Sequence, residues 1–250
     1  MLEHALVRPP PRTFSNCISS HPEHDSLDLR LARRQHSAYC NVLSELGIEV
    51  IVLPVDVVHP DSCFVEDTAV VRGGRAFITR LAKESRRGEE EGVLETLKQY
   101  KSVKAATQPA TIEGGDIIHL PDRLISGITR RTNREGIDQM TAWLDVASDL
   151  VRDQSIIHLK SHVTYIGKDV ILVTEAFADH PVLHDLVKVV VPFEERYAAN
   201  ALAIGEIVLM SEGHPQTREM VSGLGFDVKS LKMSEFQKCE GALTCLSILF

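Results

Sequence analysis

Cysteine, aromatic residues and long apolar runs are all scarce in this 250-residue chain, which has five cysteines, one tryptophan and 5% aromatic residues. No apolar run approaches the roughly 20 residues of a membrane-spanning helix, so we expect no membrane partner. The cysteines are odd in number and none forms a CxxC pair, so we expect no disulfide framework and a cytoplasmic location. The segment MLEHALVRPPPR has neither an apolar core nor a small-residue cleavage site, so we expect no secretory signal.

Positive charge is also in short supply, with 27 Lys and Arg against 35 Asp and Glu and a net charge of −8. A nucleic-acid-binding protein would carry a basic stripe, so DNA and RNA are not expected as partners. Neither a GxGxxG motif nor a P-loop occurs, so no nucleotide cofactor is predicted. A negative field raises the local concentration of cations, which favours a cationic small-molecule substrate.

Four tight hairpins are predicted where apolar, β-rich runs flank a turn pair. Their turns are Gly73-Gly74, Pro121-Asp122, Gly167-Lys168 and Gly205-Glu206. The turns are spaced by about 48, 46 and 38 residues, and a period in this range is typical of repeat architectures such as propellers.

Helices and short apolar strands alternate with these hairpins. Amphipathic spacing predicts helices over 26–47, 90–101, 133–147 and 215–225, with Asn133 as an N-cap and a poor helical segment over 180–187. Apolar strands are predicted over 48–53, 103–107, 156–159, 187–192 and 226–231. The unit is therefore a hairpin, a helix and a strand.

A fifth unit requires the two ends of the chain, with LTCLSILF (243–250) lying beside HALVRP (4–9). Such pairing would close the ring and remove exposed sheet edges. The predicted fold is an α/β, five-bladed pseudo-symmetric propeller in one domain over residues 1–250. An open α+β sheet with the same elements is the alternative.

Polar or reactive residues occur where this repeat places strand ends and central loops. Asp61, Glu66 and Asp67 crowd three carboxylates before the first hairpin, and such like charges repel unless a cation lies among them. Arg86 offers a planar fork suited to a carboxylate, although surface pairing with the following glutamates is the ordinary interpretation. Arg131 is a second such residue, beside the N-cap Asn133.

Three further residues could carry nucleophilic chemistry. Glu113 begins the sequence EGGD, whose two glycines allow a close approach of the backbone to another group. His158 ends a predicted apolar strand, and Cys245 lies in another, where a buried structural cysteine is the ordinary interpretation. A histidine and a cysteine on separate central strands are nevertheless what a Cys–His site needs. Zinc binding by Cys17, His21, His24, His59 and Cys63 matches no standard spacing.

Taken in order, six segments resemble the dimethylarginine dimethylaminohydrolases, which belong to the guanidine-modifying superfamily with the arginine deiminases. They are FVED (64–67), ESRRGE (84–89), IEGGD (112–116), RTNREG (131–136), HLKS (158–161) and LTCLS (243–247). The resemblance spans essentially the whole chain and implies a propeller of five blades, which agrees with the repeat count.

The resemblance also implies roles. Cys245 matches the nucleophile, His158 the general acid and base, and Glu113 the carboxylate that orients this histidine. The residues that match substrate-binding positions are Asp67 and Glu66 for the guanidinium, Arg86 and Arg131 for the α-carboxylate, Asp61 for the α-amino group, Ile18 in a covering loop, and Cys239 through a backbone group. His162 stands where a small or apolar residue is expected and is a rival for the base.

The implied reaction converts Nω-methylated arginine to citrulline through a covalent S-alkylthiouronium, without a metal or organic cofactor. Two alternatives stay open: an arginine deiminase or other guanidine hydrolase of the superfamily, and a non-catalytic protein that binds arginine derivatives. The sequence does not decide between a monomer and a homodimer.

Overall fold

A computed structural model describes residues 2–250 and contains five three-stranded sheets. The first comprises His4–Val7 (β1), Glu49–Val52 (β2) and Ser247–Leu249 (β15). The others follow in chain order: Ala69–Arg72 (β3), Arg75–Ile78 (β4) and Ser102–Ala105 (β5); Ile117–His119 (β6), Leu124–Ile128 (β7) and Ser148–Arg152 (β8); Val163–Gly167 (β9), Val170–Thr174 (β10) and Val187–Val191 (β11); Leu202–Ile204 (β12), Ile207–Ser211 (β13) and Asp227–Leu231 (β14).

Every sheet repeats one topology, in which a middle strand has an antiparallel partner on one side and a parallel partner on the other. The four predicted hairpins are confirmed. The third turns one residue later than expected, at Lys168 and Asp169, where both residues have positive φ, as a type I′ turn requires. The predicted closure is also confirmed, since Ala5 pairs with Leu249 and Val7 with Ser247. The propeller prediction is therefore correct.

Residues 2–250 contain five α-helices: Leu29–Glu45 (α1), Glu90–Leu97 (α2), Arg134–Leu144 (α3), Pro215–Gly223 (α4) and the short Ser234–Gln237 (α5). The first four each join the middle strand of a sheet to its parallel partner, and α5 lies between the fifth sheet and β15. The Asn133 side chain accepts a hydrogen bond from the Gly136 N–H, which confirms the predicted N-cap. The poor segment over 180–187 forms only a 3-10 turn, Pro181–Leu183. No helix within residues 2–250 has the length and apolar content needed to cross a membrane.

Two strand predictions were wrong. Residues 156–159 are a loop that leads into a 3-10 turn, because β8 already pairs with the whole of β7 and leaves no partner for a further strand. Cys245 lies in the 3-10 turn Thr244–Leu246 rather than in a strand, and β15 begins only at Ser247. Apolar composition alone cannot distinguish a strand from a buried turn that precedes one.

The cysteine prediction was also wrong in part. A disulfide joins Cys17 to Cys239 across 222 residues, while Cys40, Cys63 and Cys245 are free. A pair this distant gives no spacing signal, because its two loops meet only through folding.

Candidate active site

In every sheet, the strand that pairs antiparallel with the middle strand is preceded by a 3-10 turn, and these five turns lie around the centre of the ring. They are Val65–Thr68, Gly114–Asp116, Leu159–Ser161, Phe193–Ala199 and Thr244–Leu246. The predicted residues Glu66, Asp67 and Cys245 lie within such turns, and Glu113 and His158 directly precede them. The repeat thus brings residues far apart in sequence to one place.

A cavity of about 210 Å³ occupies this place. Eight of the ten predicted site residues line it: Ile18, Asp61, Asp67, Arg86, Arg131, His158, Cys239 and Cys245. The thiol and the imidazole therefore open into the same small space.

Cys245 is half-buried, and its sulfur accepts a hydrogen bond from the Ala242 N–H at 3.4 Å. Burial, followed by the charges of Glu66 and Asp67, raises the pKa of the thiol well above its ordinary value. Without a bound substrate, the sulfur is therefore protonated at neutral pH.

His158 is surrounded by carboxylates. Its Nε2 lies 2.7 Å from Glu113 Oε2 and 3.7 Å from Asp67 Oδ1. Burial alone would lower the pKa of the imidazole, but Asp67, Glu113 and Asp116 outweigh it and raise the pKa to about 9. The ring is thus an imidazolium at neutral pH and can donate a proton.

Asp67 is ionised and already has partners. Its two carboxylate oxygens accept from the Gly115 N–H at 3.1 Å and from Arg86 Nη1 at 2.9 Å. Burial tends to raise the pKa of Asp67, but His158 and Arg86 lower it below its ordinary value. This carboxylate gives the cavity an anionic wall.

Arg86 and Arg131 differ in how many of their guanidinium N–H groups already have a hydrogen-bond acceptor. Buried Arg86 donates to both oxygens of Glu89, at 3.0 and 2.8 Å, as well as to Asp67. Pairing with a following glutamate therefore occurs, in the interior rather than at the surface. Buried Arg131 has an Nη1 with no hydrogen-bond partner anywhere in residues 2–250, and this atom lies 3.7 Å from Glu113 Oε1. Arg131 is thus the freer of the two to bind an anion.

Asp61 and Ile18 close another side of the cavity. Both carboxylate oxygens of Asp61 accept from the Ile18 backbone N–H, at 3.1 and 3.3 Å. Burial raises the pKa of Asp61, and the charge of Arg86 offsets only part of this effect.

Glu66 does not join Asp67 as the sequence suggested. Its carboxylate pairs with Lys160 Nζ at 2.5 Å and accepts from Thr244 Oγ1 at 2.7 Å. It lines a different cavity of about 410 Å³, because successive residues of the turn point in different directions. Guanidinium binding by Glu66 stays a prediction.

The two glycines of EGGD confirm the expected close approach. A Cβ on Gly114 would overlap the Glu66 carbonyl oxygen, and one on Gly115 would lie 2.9 Å from the His158 ring and 3.0 Å from Asp67 Oδ1. Only glycine lets the backbone pass this near to the imidazole.

His162, the rival base, also lines the cavity but sits in a different environment. Its Nδ1 lies 3.2 Å from Thr174 Oγ1, and its ring contacts the Phe177 ring in a tilted arrangement, with the centroids 5.0 Å apart. Burial lowers the pKa of His162, so the ring is neutral. The carboxylates beside His158 favour that residue instead.

Several supporting residues escaped prediction. Lys160 and Thr244 lie inside the motifs that carry the family resemblance, but nothing in the sequence states what they contact. Glu89 was one of several glutamates that could pair with Arg86. Asp116 accepts from Thr129, Thr132 and the Leu159 N–H, at 2.8, 2.6 and 2.8 Å. Its position after two glycines was the only available signal.

Among residues 2–250, two groups of side chains bring metal-ligand atoms within 4.8 Å of one another. One is Asp67, Glu113 and His158, which already form the hydrogen bonds and ion pairs described above with one another and with Arg86. The other is Cys17, His24 and Cys239, which shares two residues with the zinc set considered from the sequence.

A five-sheet propeller whose central cavity presents a thiol, a carboxylate-bound imidazole and two arginines defines the class of guanidine-modifying hydrolases. Residues 14–189 match the family described as "N,N dimethylarginine dimethylhydrolase, eukaryotic". The chain belongs to the dimethylarginine dimethylaminohydrolase family.

Relatives of this family match along the whole chain. The N(G),N(G)-dimethylarginine dimethylaminohydrolase of Pseudomonas aeruginosa is 35% identical over 255 residues, which cover 100% of both chains. The Streptomyces coelicolor protein of the same name is 34% identical over 249 residues, 98% of this chain and 95% of that one.

Solved structures agree with the fold in detail. The Pseudomonas aeruginosa enzyme, as a cysteine-to-serine mutant complexed with citrulline, superposes with a TM-score of 0.97 at 34% identity over 100% of both chains. The N-terminal domain of the arginine dihydrolase ArgZ superposes with a TM-score of 0.90 over 100% of this chain and 97% of that one, but at 20% identity it supports the fold alone.

Proposed function

We propose that this protein hydrolyses asymmetric dimethylarginine and monomethylarginine to citrulline and dimethylamine or methylamine. The observation that carries the proposal is the single cavity that Cys245 and His158 share with an ionised Asp67 and with Arg131. The family membership of the chain supports the same substrate class.

Substrate binding uses charge at both ends of the molecule. The anionic Asp67 attracts the planar guanidinium, and charge-assisted hydrogen bonds are the strong ones. The α-carboxylate meets Arg131, with the remaining N–H groups of Arg86 close by. Asp61 and the Ile18 backbone lie at the α-amino end, near Cys239. Binding at this remote end holds the guanidinium carbon against the thiol.

The first half-reaction cleaves the carbon–nitrogen bond. A bound cation and the His158 imidazolium both favour the Cys245 thiolate, so arrival of the substrate activates the sulfur. The thiol proton passes to solvent water, because His158 already carries its own proton. The thiolate attacks the guanidinium carbon and forms a tetrahedral adduct. His158 then protonates the departing dimethylamine, and an S-alkylthiouronium remains on Cys245.

The second half-reaction adds water. Neutral His158 takes a proton from water, and the hydroxide attacks the thiouronium carbon. The carbon–sulfur bond breaks, citrulline leaves, and the thiol and imidazolium are restored. Glu113 holds the imidazole through both steps. General acid–base catalysis of the kind that His158 supplies is typically worth about 10²–10⁴-fold in rate.

The decisive assay measures citrulline from arginine, monomethylarginine and asymmetric dimethylarginine, with wild-type protein and with Cys245→Ala. We expect turnover of the methylated substrates and retained binding without turnover in the variant. Cys40→Ala is the matched control, since Cys40 is a free, half-buried cysteine outside the cavity.

Preference for unmodified arginine would replace the proposal with a deiminase. Binding of all three compounds without any citrulline, and no labelling of Cys245 by a thiol-reactive haloamidine, would indicate a non-catalytic binding protein.

A further inference from the structure

The loop that covers the cavity is tied to the opposite wall. We define the lid loop as residues 17–24 and the wall segment as residues 238–240. The Cys17–Cys239 disulfide joins the two, Ser19 Oγ donates to the Lys238 carbonyl at 2.7 Å, and Ser20 Oγ donates to Glu240 Oε1 at 2.7 Å. All three connections flank Ile18.

The connection matters because Ile18 and Cys239 both line the cavity. The Ile18 N–H already binds Asp61, so the lid loop contacts the cavity from one side and the wall segment from the other. The hydroxyl hydrogen bonds can exchange with water, whereas a covalent bond cannot. The state of the two sulfurs therefore decides whether the lid loop can move away.

His24 lies beside this cysteine pair. Its Nε2 lies 3.4 Å from Cys17 Sγ. An adjacent imidazole favours the thiolate, which is the form that attacks and re-forms disulfides. Inert structural disulfides do not require such a neighbour.

We propose that Cys17 and Cys239 are a reversible redox-modification site, with His24 assisting exchange, and that the oxidised site holds the lid loop over the cavity and slows substrate exchange. The effect on turnover rests on the proposed function of the cavity, whereas formation of the disulfide does not depend on that function.

The oxidant that forms the Cys17–Cys239 bond is a low-molecular-weight disulfide. The Cys17 thiolate attacks the reagent, expels one thiolate and forms a mixed disulfide. The Cys239 thiolate then attacks the Cys17 sulfur and expels the second thiolate. Two electrons pass from the protein to the reagent, and the two protein protons end on the two released thiols.

The first measurement needs no activity. The full chain is equilibrated with mixtures of reduced and oxidised glutathione, quenched in acid, alkylated and analysed by mass spectrometry. We expect a reversible loss of two hydrogen atoms, mapped to a Cys17–Cys239 cross-link. Free thiols at both positions in every mixture, or a glutathione adduct on Cys245 in its place, would overturn the proposal.

The second measurement tests the lid. In the oxidised protein we expect both kcat/KM for asymmetric dimethylarginine and the rate of Cys245 alkylation by iodoacetamide to fall about tenfold, as they would if the open population fell tenfold. Cys17→Ser should abolish the redox response, and Cys40→Ser should keep it. A changed alkylation rate in a protein without turnover would reject the proposed function but retain the lid.

Two other outcomes count against the site. A cross-link that forms but changes neither rate shows that the lid loop does not control access. Stoichiometric zinc retained by the reduced protein, and lost in Cys17→Ser and His24→Ala, shows a metal site in place of the redox site.

Discussion

At the scale of the residue, the charge state of His158 follows from its neighbours rather than from its own chemistry. Burial by itself would keep the imidazole neutral, but Asp67, Glu113 and Asp116 raise its pKa to about 9. The protonated form that donates to the leaving amine is thus complete below this pH and is lost as the pH rises through it. Activity that depends on this form should decline on the alkaline side.

Glu113→Gln tests this dependence. Removing a carboxylate that lies 2.7 Å from Nε2 should lower the pKa of His158, so the alkaline limb of the kcat profile should move to lower pH by roughly 1–3 units. Glu84→Gln, at an exposed glutamate paired with Arg87, should leave the profile in place. Superimposable profiles for wild-type protein and Glu113→Gln would show that Glu113 does not set the pKa of His158.

Arg131→Lys tests the carboxylate clamp. A lysine keeps the positive charge but not the planar fork, so KM for methylated arginine should rise while kcat changes less. A methylguanidine without the carboxylate should show little change in KM. Arg130→Lys is the matched control, because Arg130 is exposed and donates to the Gln154 carbonyl. Equal effects of Arg131→Lys on both substrates would remove Arg131 from the clamp.

At the scale of the element, the turn Gly114–Asp116 organises the site. Asp116 binds side chains from the loop that carries Arg131 and the backbone N–H that follows His158. Gly115 supplies a backbone N–H to Asp67 and passes directly beneath the imidazole. One short turn therefore connects His158, Asp67 and the loop that carries Arg131.

Gly115→Ala should displace His158, because the new Cβ would lie 2.9 Å from the ring. A shift of about 1 Å in a catalytic group can cost about 10²-fold in rate, and we expect a loss of that order in kcat. Gly74→Ala is the control, since a Cβ there meets nothing within 4 Å. Full activity in Gly115→Ala, measured by citrulline release, would mean that the turn does not fix the imidazole.

At the scale of the whole molecule, the ring is closed by its two ends. Ile248 of β15 is 5% exposed and packs in one apolar cluster with Leu6 of β1 and with Val65 and Ala69 beside the next sheet. The strand that follows the nucleophile therefore also joins the first sheet to the second.

Ile248→Ala should lower the free energy of unfolding by about 2–5 kcal/mol, the usual cost of truncating a buried isoleucine. Val190→Ala, at a side chain that is 42% exposed on β11, should cost far less. Denaturant titration measures both. A small effect of Ile248→Ala would show that pairing of the ends contributes little to stability.

The sequence by itself determined the repeat. Turn pairs, period-two strands and the Asn133 cap depend on neighbours a few residues away, so they can be identified in the chain alone, as can the motifs around Cys245 and His158. Even the pairing of the ends could be inferred from the incomplete fifth unit.

Only the tertiary structure decided which charged and sulfur-bearing groups contact one another. It separated Glu66 from Asp67, selected Glu89 as the buried partner of Arg86, and joined Cys17 to Cys239. Such pairings depend on distances of a few ångströms between segments remote in sequence, and on burial that shifts each pKa. No local pattern encodes either quantity.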